Sequence, residues 1–205
     1  HNTRSGRIFI LGNGPSLIEQ RDLLTRLKDE ATFCCNSFPK WEPMPFMPTY
    51  YGITDMHSSG GISQKYNMVD AYSWPDLDMM KFQVGWPDDV HHPAFIWVDK
   101  DPTKKIVNDT GPVGFGEDLP PLPTARTTPF TLAQIALWMG YRHIYMLGIE
   151  QTRGYAHDPD AKMSTTGRHE FPLDKNPKYQ IAIQRAAERI RADLEANGGK
   201  IYDCT

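Results

Sequence analysis

Residues 7–17 read RIFILGNGPSL, an apolar run that passes directly into a glycine-rich turn. The run over Arg7–Leu11 is typical of a buried strand, and the glycines that follow it indicate a tight turn. The apolar pattern then predicts a helix over Ile18–Asp29 and a second strand over Thr32–Cys35. Strand, helix and strand within about 30 residues form a right-handed βαβ unit, so the sequence predicts a parallel sheet.

The same alternation returns in the second half of the chain. Three further strands are predicted at Tyr50–Thr54, Ile144–Leu147 and Ile201–Tyr202. Two further helices are predicted at Thr128–Met139 and Pro177–Asn197. We expect the first of these helices to be amphipathic and to end at Gly140 as its C-cap residue. Together these elements predict one Rossmann-like α/β domain over residues 1–205, with a mainly parallel sheet and helices on both faces.

Residues 56–126 interrupt the pattern, because prolines recur through them with glycines in between. Phe95–Val98 is the one clear strand candidate in this segment, and Asp70–Lys81 is a candidate for a short helix. A long stretch of this kind in a compact enzyme is usually functional. We therefore expect a loop-rich insertion or lid at 56–126.

Composition excludes several classes of protein. The net charge of −3 and the pI of about 6.2 give no basic surface for nucleic acid. No apolar run approaches the roughly 20 residues of a membrane span, and the first residues have no apolar signal-peptide region. Three cysteines, of which Cys34 and Cys35 are adjacent in an apolar run, suit buried strand thiols better than disulfides. We expect a soluble, cytoplasmic protein and leave its oligomeric state, including a homo-oligomer, open.

The turn at Gly12–Ser16 is a candidate phosphate site. Gly12 and Gly14 let the backbone approach a ligand, the free N–H groups at the start of a helix favour an anion, and Asn13 and Ser16 add polar side chains. Ser16 is also a candidate helix N-cap. The pattern is neither G-x-G-x-x-G nor a Walker A loop. A purely structural turn is the alternative interpretation.

Polar residues also end the predicted strands, where ligands of parallel sheets bind. Asn36 follows the second strand and has the alternative role of a turn former. Asp55 and Glu150 follow two other strands. Each could bind ribose hydroxyls or a metal ion, or could only cap a loop.

Two histidines in the C-terminal loops are candidates for a general base, since imidazole titrates near neutrality. They are His157, after the Ile144–Leu147 strand, and His169, before the last helix. Arg126, Arg153 and Arg168 flank the same loops and suit anion binding, with a solvated loop position as the alternative for each. Histidine and cysteine spacings predict no structural zinc site.

Three stretches resemble known enzymes. LGNGPSL at 11–17, FCCNSF at 33–38 and TTPFTLAQIALWMGYRHIYMLGIE at 127–150 are similar to the bacterial lipooligosaccharide sialyltransferases and to the Maf-type glycosyltransferase-like proteins. Archaeal pterin pyrophosphokinases are distant kin of that second group. The resemblance covers roughly the first 55 and the last 80 residues, and 56–126 match nothing known to us.

The resemblance implies a transferase that moves a sugar from a nucleotide-sugar donor, CMP-linked in the sialyltransferases, to the hydroxyl of a glycan or small alcohol. It places the nucleotide on Asn13 and Asn36 and the phosphate on Thr128, with Thr127 beside it. Tyr155 assists the departing phosphate, and His169 is the general base.

The sequence also departs from the sialyltransferase pattern. Thr152 stands where a second tyrosine assists the phosphate, and Asp55 stands where the sialyltransferases have Asn. These two changes put sialic acid itself in doubt. Such transfer needs no metal, although Mg²⁺ would suit Asp55 and Glu150 if both face the site. The alternatives are a Mg²⁺-dependent pyrophosphokinase of the pterin type that uses ATP, and a non-catalytic nucleotide-binding module.

Overall fold

The computed structural model describes residues 6–36, 38–54, 79–85, 95–105, 122–124, 127–150 and 177–204. Eight strands lie in these residues: β1 Arg7–Leu11, β2 Thr32–Cys35, β3 Tyr50–Thr54, β4 Met80–Gly85, β5 Ile96–Lys105, β6 Leu122–Thr124, β7 His143–Leu147 and β8 Lys200–Asp203. The helices are α1 Ser16–Glu19, α2 Arg21–Leu24, α3 Thr128–Trp138 and α4 Pro177–Ala196, with 3₁₀ turns at Thr25–Leu27 and Phe38–Lys40. No helix in these ranges is both long enough and apolar enough to cross a bilayer.

All eight strands belong to one sheet in the order β6-β5-β4-β3-β2-β1-β7-β8, and every pairing is parallel. The chain runs outward from β1 to β6, and α3 then carries it back to β7 on the other side of β1. The crevice between β1 and β7 is therefore the topological switch point, where open α/β sheets bind ligands. The predicted parallel sheet is confirmed.

Helical segments cover both faces of the sheet, as the sequence predicts. Successive strand residues point to opposite faces, so Phe33 and Cys35 join the core under α3 and α4, and Cys34 joins the core under α1 and α2. Leu17 and Leu24, both buried, anchor α1 and α2 there. This two-sided burial makes the fold a Rossmann-like α/β arrangement.

The prediction of one continuous helix over Ile18–Asp29 is wrong, because the structure has two short helices and a 3₁₀ turn there. The helix breaks at Gln20, where φ is −94° and ψ is 1°, and it ends in a 3₁₀ turn. Ile18 and Leu23, which the prediction counted toward the core, are 38% and 54% exposed. Leu24, which belongs to the predicted apolar pattern, is buried, and so is Leu17, which lies just before the predicted helix.

The described parts of 56–126 are strands of the same sheet. The candidate at Phe95–Val98 is confirmed as β5, although β4 and β6 were not predicted. Lys81 and Gln83 are polar but buried in β4, so the sequence of this strand lacks the apolar pattern of a buried strand. Met80 and Lys81 lie in β4, so that end of the helix predicted at Asp70–Lys81 is wrong, and 70–78 lie outside the described residues. A lid in the remainder of the segment stays a prediction.

Regular structure over 127–150 and 177–204 follows the sequence prediction closely. Helix α3 ends one residue earlier than predicted, and Gly140 follows it with φ of 100°, the left-handed conformation of a C-terminal cap. The expected amphipathicity is wrong, because α3 is buried on nearly all sides between the sheet and α4. Even the polar Thr131 and Gln134 of this helix are buried.

Candidate functional site

The turn after β1 continues the sheet pairing beyond the strands. Gly12 N–H donates to the carbonyl of Leu147 at 2.8 Å, and Gly14 N–H donates to that of Gly148 at 2.8 Å. The ends of β1 and β7 are therefore fixed against each other at the switch point.

Glu150 closes this turn. Its Oε1 accepts a hydrogen bond of 2.6 Å from the backbone N–H of Ser16. A side chain at position 14 would overlap the Glu150 carboxylate, so this close approach requires Gly14. The Ser16 N–H group at the start of α1, which was expected to bind an anion, is thus already hydrogen-bonded to the Glu150 carboxylate.

Two polar atoms of this turn have no hydrogen-bond partner among the described residues. Glu150 Oε2 and Ser16 Oγ are both buried, and neither bonds any part of the chain that the structure describes. The prediction that Ser16 is a helix N-cap is wrong. Helix α1 begins at Ser16 itself, and Pro15 is the N-cap residue, without a side-chain hydrogen bond.

Asn13 links the first turn to β2. Its Nδ2 donates to the carbonyl of Cys35 at 3.1 Å. The amide nitrogen is thereby committed to the protein, which leaves Oδ1 as the group available to a ligand. Asn13 and Asn36 follow the neighbouring strands β1 and β2.

Asn36 is held in a left-handed conformation with φ of 44° at the end of β2. The buried hydroxyl of Tyr51 donates to the Asn36 carbonyl at 2.6 Å, and Asn36 N–H donates to the carbonyl of Gly52 at 3.1 Å. The side-chain Nδ2 donates to Thr128 Oγ1 at 2.9 Å, whereas the buried Oδ1 has no partner among the described residues. The bond to Thr128 fixes the orientation of the amide, so Oδ1 is an acceptor in a defined position.

Thr128 joins this group to β3. Its Oγ1 lies 2.7 Å from Oγ1 of Thr54, and both side chains are buried. Thr127 is the N-cap residue of α3, with extended backbone and no side-chain cap bond. The first turn of α3 contains no acidic residue, so no side chain of that turn compensates the positive end of the helix dipole.

Several predicted site residues lie outside the described residues: Asp55, Thr152, Tyr155, His157, His169, Arg126, Arg153 and Arg168. Their roles stay predictions. Among the residues described, no three His, Cys, Asp or Glu side chains are grouped so that they could hold a metal ion. Sequence reasoning missed Thr54 and Tyr51, whose one signal is their position in the strand before Asp55.

The two adjacent cysteines are buried strand thiols, as predicted. Cys34 is 0% and Cys35 1% exposed. Burial raises the pKa of the Cys34 thiol well above its usual value, and the neighbouring Cys35 raises it further. A thiol that resists ionisation is a poor nucleophile, so Cys34 is structural.

No family model and no curated protein matches the chain. Among solved structures, the fold is similar to that of a variant of the sialyltransferase CST-II in complex with CMP, with a TM-score of 0.51 and 13% identity over 97% of this chain and 80% of that one. For CST-II in complex with a trisaccharide acceptor and CMP, the TM-score is 0.47 and the identity 14%, over 96% of this chain and 80% of that one. For CstII from Campylobacter jejuni in complex with the substrate analogue CMP-3FNeuAc, the TM-score is 0.47 and the identity 14%, over 97% of this chain and 80% of that one. The first similarity shows a shared fold.

Proposed function

We propose that this protein is a glycosyltransferase-like enzyme that transfers a sugar from a nucleotide-sugar donor to an acceptor hydroxyl. The observation that carries the proposal is the meeting of Asn13, Asn36 and Thr128 at the carboxyl edge of one parallel sheet. These are the positions at which the sialyltransferase resemblance expects the donor. CMP is bound by the structural neighbour and is therefore the first nucleotide to test.

Hydrogen-bond polarity at the site supports a ligand that carries donors. Asn13 and Asn36 each commit their amide nitrogen to the protein, so both offer carbonyl oxygens. Glu150 adds a carboxylate oxygen at the turn that contains Asn13. A nucleoside carries hydroxyl and amine donors that match such acceptors.

The donor phosphate has a better place at α3 than at the first turn. Thr127 and Thr128 begin a helix of 11 residues with no acidic side chain in its first turn. At the turn after β1, by contrast, the Glu150 carboxylate already accepts from Ser16. We place the phosphate at the start of α3 and the nucleoside over Gly12–Ser16.

In the proposed reaction, the acceptor oxygen forms a bond to the anomeric carbon of the sugar as the bond from that carbon to the phosphate oxygen breaks. The nucleotide leaves with the bonding electrons, and Tyr155 and the dipole of α3 stabilise its charge. His169 takes the proton of the acceptor hydroxyl, and His157 is the second candidate for this role.

A thermal-shift panel of CMP, CDP, UDP, GDP, ADP and ATP, with and without Mg²⁺, tests the proposal. We expect CMP to stabilise the protein most, since a ligand that binds only the folded state raises its stability. Stabilisation by ATP that requires Mg²⁺ would favour pyrophosphoryl transfer instead. Nucleotide binding without turnover of any CMP-sugar would favour a binding module, and the absence of binding by every nucleotide would overturn the proposal.

A further inference from the structure

The Glu150 carboxylate uses only one of its two oxygens within the described chain. Oε1 accepts from Ser16 N–H at 2.6 Å, while Oε2 is buried and has no partner among the described residues. The buried Ser16 hydroxyl likewise bonds none of them. Buried polar atoms are nearly always hydrogen-bonded, and an unsatisfied charged acceptor is especially costly. Within the part of the chain that the structure describes, Oε2 therefore lacks the hydrogen-bond donor that a ligand would supply.

These atoms lie at the switch point of the sheet. Ser16 follows β1 and Glu150 follows β7, and the two strands are neighbours. The helices that follow them, α1 and α4, pack on opposite faces of the sheet, so the connections diverge at this crevice. A ligand in such a crevice contacts the residues at both strand ends.

Charge decides which part of a nucleotide belongs here. A phosphate beside Oε2 would bring a second anion to a carboxylate in a partly desolvated turn, which is unfavourable. A hydroxyl group would instead donate to Oε2, and bonds to a charged acceptor are the stronger kind. We infer that Glu150, with Ser16, binds a ribose hydroxyl and makes the protein selective for ribonucleotides over deoxyribonucleotides. This inference rests on the proposed nucleotide function.

Glu150→Gln is an informative variant because Gln has one acceptor and one donor at the same positions. Its oxygen would keep the bond to Ser16 N–H, so its nitrogen would take the position of Oε2. The substitution thus preserves the turn and reverses the hydrogen-bonding role of the free atom. Glu195→Gln, at an exposed position near the end of α4, removes the same charge away from the site and is the matched control.

Isothermal titration with CMP, 2′-deoxy-CMP and 3′-deoxy-CMP measures the selectivity. We expect the wild-type protein to bind at least one deoxy analogue about ten- to a hundredfold more weakly than CMP, the range for loss of a bond to a charged group. In Glu150→Gln the ratio should fall to about fivefold or less, because the hydroxyl then bonds a neutral amide in place of a carboxylate, while Glu195→Gln should keep the wild-type ratio.

Two results would overturn the inference and leave the proposed function standing. Equal affinity of the wild-type protein for CMP and both deoxy analogues would mean that Glu150 only caps the turn, and this outcome needs no variant. Full selectivity in a folded Glu150→Gln protein would assign ribose recognition to another residue. Failure of the wild-type protein to bind CMP or its analogues would overturn the proposed function and, with it, this inference.

Discussion

The side-chain amide of Asn36 donates a hydrogen bond of 2.9 Å to the hydroxyl of Thr128, which joins the end of β2 to the start of α3. The two residues are 92 positions apart in sequence. Because the bond fixes the amide, Asn36 Oδ1 is the atom left without a partner among the described residues. Asn36, for which a turn-forming role was the alternative, therefore has one defined acceptor at the carboxyl edge of the sheet.

Asn36 can be tested for backbone and side-chain roles separately. Its φ of 44° suits Gly and disfavours Ala. We expect Asn36→Gly to bind CMP at least about fivefold more weakly, the effect of one lost hydrogen bond, with the fold intact. Asn36→Ala should be less stable than Asn36→Gly by about 1 kcal/mol in urea unfolding. Equal stability of the two variants would show that the left-handed conformation is not held in solution.

Thr54 is expected to act through Thr128. Its hydroxyl lies 2.7 Å from that of Thr128, and 1% of Thr54 is exposed. Thr54→Val keeps the shape and removes the hydroxyl, so we expect a loss of about 1–2 kcal/mol in stability and weaker binding of CMP. Thr54→Ser restores the hydroxyl without the methyl group and should restore the affinity. If Ser and Val weaken binding equally, the effect comes from packing and not from the hydrogen bond.

Gly14 and Glu150 should be energetically coupled. Gly14→Ala would displace the Glu150 carboxylate from Ser16 N–H, and we expect it to cost about 1–2 kcal/mol. In a Glu150→Ala background the same change meets no carboxylate and should cost less. Urea unfolding of the four proteins should give a coupling of about 1 kcal/mol. Gly6→Ala, where a side chain would meet nothing within 4 Å, is the control and should be additive.

Parts of the fold that depend on local pattern could be predicted from sequence, and parts that depend on distant contacts could not. β1 and β7 are contiguous apolar runs that end at glycine, which marks both their type and their limits. β4 was missed because burial of Lys81 and Gln83 depends on neighbours elsewhere in the chain.

The same distinction holds for the site. Glu150 was a candidate because it follows a strand, but its bond to Ser16 spans 134 residues, and no local pattern links the two. In the sequence, Thr54 is an ordinary strand residue. Its role depends on contact with the hydroxyl of Thr128 in α3, 74 positions later. Residue types at strand ends were therefore predictable, and their partners were not.

Only one of the three thiols should react in the native protein. Cys34 and Cys35 are buried, whereas Cys204 is exposed. Partial burial and the nearby Asp203 raise the pKa of Cys204. Its reaction with a disulfide reagent should therefore be slow at neutral pH and accelerate as pH rises, because the thiolate is the nucleophile. One thiol per native chain and three after denaturation are expected, and Cys204→Ser should abolish the native signal.

His169 is expected to be the general base of the proposed transfer. It matches the base of the sialyltransferases in the resemblance, and it lies in sequence shortly before α4. His169→Ala should lower turnover by about 10²–10⁴, the usual effect of losing a general base. CMP binding should barely change, since the base contacts the acceptor and not the nucleotide. Initial rates with a CMP-sugar donor and titration with CMP separate the two effects.

His157→Ala is the comparison within the same region. If His157→Ala is inactive while His169→Ala retains its rate, the base is His157. If both variants keep full turnover, transfer to the acceptor does not depend on a histidine base, and Mg²⁺-dependent pyrophosphoryl transfer becomes the better hypothesis.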